Sequence, residues 1–302
     1  AAQVCADATL SVSYTDAAKL ARFASAVDVI TCEFENVPAE AFHILSQFTV
    51  PVRPGGEAFS IASDRIKEKT FLHSIGVPTT PWRAVTGYQE VQEALAVFGE
   101  VIMKTVRMGY DGKGQMRFDN AVDAMAAWKT LNQDTAIAEA VVDFDREISV
   151  IVARGLDGKM AVYPAVENLH KNGILIQTTA PAPRLAPTLA FHAESIARTI
   201  AERLNIVGLL AVEMFVTRDG EILVNEIAPR PHNSGHWTMD ACYCSQFEQL
   251  VRAICGLPLG STDWHHEAVM TNLLGEEVSK YRDILDSDPR LKLHLYGKKD
   301  AR

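Results

Sequence analysis

The chain has 302 residues, 48% hydrophobic and 22% charged, enough apolar surface for more than one core, which excludes a disordered or fibrous protein. Its 38 acidic residues against 29 basic ones leave a net charge of −9. That balance argues against a nucleic-acid partner but leaves room for a local basic pocket around a small phosphorylated ligand. Five cysteines with no Cys-x-x-Cys pair encode neither a disulfide framework nor a structural zinc site. Cys242 and Cys244 read as small buried hydrophobes, in a reducing cytoplasm. No apolar run approaches the roughly 20 residues of a membrane span, so no membrane partner is expected.

In chain order, residues 15–24 predict a helix with Thr15 as N-cap, 27–32 a short buried strand, 39–47 a helix and 50–52 a clipped strand before the Pro54-Gly55-Gly56 turn. A third helix is predicted over 63–75, with Ile66, Phe71, Leu72 and Ile75 toward the core, Gly76 as the C′ residue and Pro78 as a stop. This helix and strand alternation predicts a mostly parallel, doubly wound sheet. Pro78–Pro81 reads as a linker. After it, 101–104 and 116–118 predict a hairpin around a glycine-rich mobile loop, 121–131 a helix, and 135–140 and 147–153 strands. Leu189, Ala193, Ile196, Ala197, Ile200 and Leu204 mark one helical stripe, and 209–216 with 221–227 read as two strands joined at Arg218-Asp-Gly220.

Chemistry concentrates at a few points. Glu213 and Glu226 lie on the last two strands, and a short turn can bring both carboxylates to one end of a sheet. They read either as solvated strand acids or as a pair whose repulsion a shared divalent cation relieves. Asn225-Glu226-Ile-Ala-Pro-Arg-Pro-His232-Asn-Ser-Gly-His236 favours the second reading, because packing alone does not explain such dense polar chemistry after an apolar strand. Gly109, Gly112, Lys113, Gly114 and Gln115 form neither a P-loop nor a dinucleotide fingerprint. They read as a flexible hairpin loop or as backbone that can approach a polyphosphate. Lys104 is an edge lysine or a phosphate contact. Glu139-Ala140-Val141-Val142 could offer backbone groups to an adenine edge, and Glu147 could reach a ribose hydroxyl.

Taken together, Glu33 through Pro38, Ser63-Asp-Arg65 with Lys69 through Leu72, Lys104 through Gln115, Tyr163-Pro164 with Glu167 through Ile174, and Asn225 through Thr238 with Ser245 through Glu248 resemble the N5-carboxyaminoimidazole ribonucleotide synthetase family. The resemblance covers essentially the whole chain. It implies an α/β ATP-grasp fold with a Rossmann-like preATP-grasp domain over 1–76, a lid subdomain over 77–141 and a C-terminal ATP-grasp subdomain over 142–302. Both ends look short of the family's full length, with the ribonucleotide-phosphate grip reduced to Lys298. It further implies a ligase, a homodimer, that makes N5-carboxyaminoimidazole ribonucleotide from 5-aminoimidazole ribonucleotide, bicarbonate and ATP through carboxyphosphate, in purine biosynthesis. By motif, Arg65, Lys104, the glycine loop, Glu139–Val142, Glu147 and Asn225 would hold ATP, and Glu213 with Glu226 Mg2+. Glu33 and Tyr110 would hold the ribonucleotide, and Arg230, His232 and Asn233 would face bicarbonate. The nearest alternatives are other ATP-grasp ligases, such as the formate-dependent glycinamide ribonucleotide transformylase or biotin carboxylase.

Overall fold

The computed structural model describes residues 5–34, 36–107 and 114–296. Short helices fill the first part. Helix α1 (Ala17–Ala24) starts one residue later than predicted, because Asp16 and not Thr15 accepts the Lys19 N–H, at 3.0 Å. Helix α2 spans Ala39–Leu45. The Pro-Gly-Gly turn opens a further helix, α3 (Gly56–Ala62), and the helix predicted from 63 begins only at α4 (Arg65–Ser74). The break has a cause: the Asp64 carboxylate caps the new N-terminus by accepting the Lys67 N–H at 3.1 Å. Gly76, at φ 74°, ends α4 as predicted. Phe42 and Phe59 stack at 5.1 Å in the core of this part.

The part expected to form a lid follows as β1 (Trp82–Val85), α5 (Tyr88–Phe98), β2 (Val101–Thr105), β3 (Gln115–Phe118), α6 (Ala121–Leu131) and β4 (Ala136–Ala140). Its sheet runs β1-β4-β2-β3, antiparallel throughout, with Val91, Ala94, Ala124 and Ala127 packing over Val85, Val101, Met103 and Ala138. The predicted hairpin is β2–β3, pairing Val101 with Phe118 and Lys104 with Gln115. Gly114 closes it at φ 72°, where an added Cβ would stand 2.8 Å from the Thr105 hydroxyl. The rest of the glycine loop, with Gly109, Tyr110, Gly112 and Lys113, lies outside the described residues, as does Lys298. The predicted linker is instead pinned: the Val224 N–H donates to the Pro78 carbonyl at 2.9 Å, and Thr79 bridges Val224.

The larger sheet has the order β10-β9-β5-β7-β8-β11, with β6 on β5. Its strands are β5 (Phe144–Arg154), β6 (Met160–Val162), β7 (Val166–Lys171), β8 (Ile174–Ala180), β9 (Gly208–Thr217), β10 (Ile222–Ala228) and β11 (Ala268–Thr271). Helix α7 (Pro187–Arg203) lays its predicted apolar stripe on one face, against Ile148, Val150, Val152, Leu210, Val212 and Met214. Short α8 (Thr238–Ala241) and α9 (Gln246–Ile254) cover part of the other, over Ile151, Ala153, Leu209 and Ala211. Helix α10 (Tyr281–Ser287) is the last. Parallel winding is expected of the first part, where the described residues show the single parallel bridge Ile30–Val52. Both sheets are antiparallel, built from hairpins and neighbouring strands, and among the described residues the only parallel contacts are the single bridges Ile30–Val52 and Thr79–Val224. All five cysteines are free, with Cys242 and Cys244 buried.

Candidate active site

Alternation along the strands builds the site. On β5 and β9 the even-numbered residues face α7, so Glu147, Ser149 and Glu213 share the opposite face. On β10, Ile222 and Val224 also face α7, and simple alternation would send Glu226 into that apolar core. A β-bulge between Val224 and Glu226 changes the parity: Val224 pairs with Met214, Asn225 is the extra residue, and Glu226 pairs with Glu213. The two glutamates therefore stand opposite each other on adjacent strands. Asn168 of β7 pairs with Glu147, which adds Asn168 and, two residues on, His170 to this face.

Glu213 is partly buried beside His232, whose Nε2 lies 3.2 Å from its Oε1. Burial, the largest influence, pushes its carboxyl up. The His232 hydrogen bond and the charges of His232, His170 and Arg230 together outweigh it, so Glu213 sits below the usual carboxylate range. Glu147 pairs with His170 Nδ1 at 2.5 Å. Burial pushes His170 down, but the Glu147 hydrogen bond and the charges of Glu213, Glu147 and Glu226 prevail and raise it. The loop after β10 is clamped by Gln246, fully buried, whose amide accepts from the His232 N–H at 2.9 Å and donates to the His232 carbonyl at 2.7 Å and His236 Nδ1 at 2.9 Å. Burial first, then the charges of His232, His294 and Arg230, depress His236 to about 4, so it is neutral at pH 7.

A buried charge cluster joins the lid to this sheet. Lys69 on α4 donates to the backbone carbonyls of Asn225 at 2.8 Å and Val224 at 3.3 Å, and lies 3.8 Å from Glu139 of β4. Lys104 of β2 donates to the other Glu139 oxygen at 2.6 Å. Glu68, beside Lys69, accepts the Ile227 N–H at 2.7 Å. Burial dominates its titration and raises it to about 8, with Glu226 adding to the rise and Lys69 opposing it. Arg65, one turn earlier, reaches Glu226 at 3.9 Å.

An open cleft of about 2250 Å³ brings together Glu33, Arg65, Lys104, Gln115, Glu213, Asn225, Glu226, Arg230, His232 and Asn233. Glu139 is not on that lining. Its carboxylate is buried under Lys104, because two lysines hold it. The N–H groups of Ala140 and Val141 are also occupied, by the carbonyls of Pro81 and Glu100, so this segment has carbonyl oxygens and the Val142 N–H left to offer a ligand. Sequence reasoning missed Glu68, Lys69, His170 and Gln246. The first two share one helix face with Arg65 and Leu72, at the i, i+3, i+4, i+7 spacing, but a face with three charges reads as solvated.

The ATP-grasp domain family matches residues 70–247, the ribonucleotide synthetase preATP-grasp domain residues 1–63, and the phosphoribosylaminoimidazole carboxylase C-terminal domain residues 268–302. The chain is 46% identical to the N5-carboxyaminoimidazole ribonucleotide synthase of Brucella melitensis, over all of this chain and 83% of that protein. A crystal structure of an N5-carboxyaminoimidazole ribonucleotide synthetase with ADP superposes at a TM-score of 0.94 and 41% identity, covering 100% of this chain and 79% of that one. The Aspergillus clavatus synthase with ADP and 5-aminoimidazole ribonucleotide superposes at 0.91 and 26% identity, covering 98% and 80%. With its fold, its facing glutamates and these relatives in agreement, the chain belongs to the N5-carboxyaminoimidazole ribonucleotide synthase family.

Proposed function

We propose that the protein uses ATP to carboxylate the exocyclic amine of 5-aminoimidazole ribonucleotide with bicarbonate, giving N5-carboxyaminoimidazole ribonucleotide, ADP and phosphate. The observation that carries this reading is the pair Glu213–Glu226, set opposite each other at the wall of a cleft that also holds Arg65, Lys104 and Arg230. Bicarbonate is a poor electrophile, so one of its oxygens first attacks the γ-phosphorus of ATP. ADP leaves, and the product is carboxyphosphate. The amine then takes the carboxyl group as phosphate departs. Arg65 and Lys104 offset charge on the phosphates, and Arg230, His232 and Asn233 orient bicarbonate beside them. Glu33, Tyr110 and Lys298 hold the ribonucleotide, while Glu147 takes the ribose of ATP and Glu139–Val142, Asn225 and the 109–115 loop its remaining groups.

The glutamate pair also suits Mg2+. Its donors are hard oxygens, and no group of three His, Cys, Asp or Glu gathers for a metal among the described residues, so the pair fits an ion that shares phosphate oxygens with ATP. A Mg2+ held there would stabilise charge on the transferring phosphoryl group. On this reading residues 1–76, 77–141 and 142–302 act as preATP-grasp domain, lid and C-terminal subdomain, in a cytoplasmic homodimer. No helix among the described residues is long and apolar enough to cross a membrane.

The test is ADP release with each substrate omitted in turn, with product identified by mass. Release that needs both bicarbonate and 5-aminoimidazole ribonucleotide is the expected result. Release that instead follows formate and glycinamide ribonucleotide overturns the reading.

A further inference from the structure

Behind His232 runs a line of buried polar side chains with no part in the carboxylation steps themselves. Thr178, Ser149 and Ser234 are fully buried and Asn168 nearly so, in the interior of the large sheet and the loop that packs on it. The Thr178 hydroxyl donates to Asn168 Oδ1 at 2.9 Å, and the Asn168 amide donates to Ser149 Oγ at 2.9 Å. Ser149 Oγ and Ser234 Oγ are 2.7 Å apart, and Ser234 Oγ is 2.8 Å from His232 Nδ1. His232 Nε2 then meets Glu213.

The direction of this line is set at its His232 end. An amide nitrogen only donates, so Ser149 Oγ accepts from Asn168 and keeps its proton and a second lone pair for Ser234. At the His232 end, the backbone N–H of Ser234 points at His232 Nδ1 at 3.3 Å, and a backbone N–H cannot accept. Nδ1 is therefore bare and takes the Ser234 hydroxyl proton, which leaves Ser234 Oγ to accept from Ser149. Turning the Asn168 amide over would reverse every hydroxyl and set a protonated Nδ1 against the Ser234 N–H. Only one polarity satisfies all five groups.

We propose that Thr178, Asn168, Ser149 and Ser234 are positioning residues that hold His232 as the tautomer with its proton on Nε2. That proton engages Glu213, fixing the imidazole plane and leaving the second Glu213 oxygen uncommitted to His232. In the other tautomer a bare Nε2 would face the Glu213 carboxylate, lone pair against lone pair, and the ring would turn away. The proposal rests on the reading that places His232 beside bicarbonate and Glu213 in the phosphoryl-transfer site. The nitrogen that donates in a neutral imidazole is set by the partner of the other nitrogen, and here that partner lies at the end of a relay reaching across three strands.

The test uses the full chain with nitrogen-15 in its histidines, and His232→Ala to assign the signals. Long-range proton–nitrogen correlation spectra should show His232 bare at Nδ1 and protonated at Nε2. A wild-type Nδ1–H overturns the proposal. Asn168→Asp supplies acceptors only toward Ser149, so it should reverse the line and move the proton to Nδ1. An unchanged spectrum in a folded Asn168→Asp protein overturns the relay. Ser149→Ala should lower kcat for carboxylation on the order of 10-fold with KM for ATP unchanged, and Ser149→Thr should restore it. Should Asn168→Asp not fold, this series decides: a Ser149→Ala enzyme with wild-type kcat overturns the positioning role. A correct tautomer in a protein that carboxylates nothing sinks the proposed function and leaves the relay standing.

Discussion

At the scale of single residues, the facing glutamates and the buried Glu68 give opposite lessons. Glu226→Gln removes one carboxylate of the pair and should cut Mg2+-dependent ADP release by a factor on the order of 10² or more while the circular dichroism spectrum stays unchanged. Turnover near wild type at ordinary Mg2+ removes Glu226 from the site. Glu68 predicts a pH effect on stability. Its folded value of about 8 lies above the ordinary value of 4.5, so between these limits the native state binds more protons than the unfolded one. Stability therefore falls as pH rises from about 5 to 8, with a slope of at most about 1.4 kcal/mol per pH unit. Glu68→Gln keeps an oxygen for the Ile227 N–H and should flatten that fall, as read from urea midpoints at pH 5 and 8. That Glu226, Arg230, His232 and Asn233 gather in one cleft was legible, because polar residues crowd where an apolar strand ends. Glu68 and Lys69 were not, because charged residues on a helix are ordinarily its solvated face, and only the tertiary partners Glu139 and the β10 backbone overrule that expectation.

Among elements, the loop from Pro231 to His236 depends on close approach. An added Cβ on Gly235 would meet the Ile151 side chain at 2.3 Å and the Gln246 amide at 2.6 Å. Gly235→Ala should therefore destabilise the fold by about 1–3 kcal/mol and lower carboxylation further than stability alone explains, because it displaces the Gln246 clamp on His232. Denaturant midpoints and kcat in the same preparation check this. A variant as active and stable as wild type would show the loop to be free of the sheet. Helices α6 and α7 and the β2–β3 hairpin were readable, since each pairs a regular apolar period with a clear stop. Strands β1, β7 and β8 escaped. Strand β1 is short, β7 mixes charges into Val-Glu-Asn-Leu-His-Lys, and β8, Ile-Leu-Ile-Gln-Thr-Thr-Ala, has no apolar and polar alternation; only the neighbouring strands give them an inside and an outside. The bulge at Asn225 left no trace in composition, so the shared face of Glu213 and Glu226 was open to a guess from the sequence, and only the strand pairing establishes it.

For the whole molecule, the Lys69 cluster makes three parts of the chain one cooperative body. Lys69→Met leaves Glu139 with Lys104 alone, removes a donor from two β10 carbonyls, and should cost about 3–5 kcal/mol. Thermal unfolding followed by lid and core fluorescence, through Trp128 and Trp237, should then split into two transitions. A single transition with an unchanged midpoint would show the cluster to be peripheral to folding. The same cluster has a mechanical consequence. The root of the lid is riveted at four places: Pro78 to Val224, Glu139 to Lys69, the Arg65 N–H to the Val106 carbonyl at 3.0 Å, and Arg107 to Asp64 at 2.9 Å. Swinging the lid outward as a rigid flap would break all four at once and part Lys69 from Glu139, which would keep Lys104 alone. The root therefore behaves as a clamped beam rather than a door on a hinge, held at the end of β4 and again just past the end of β2.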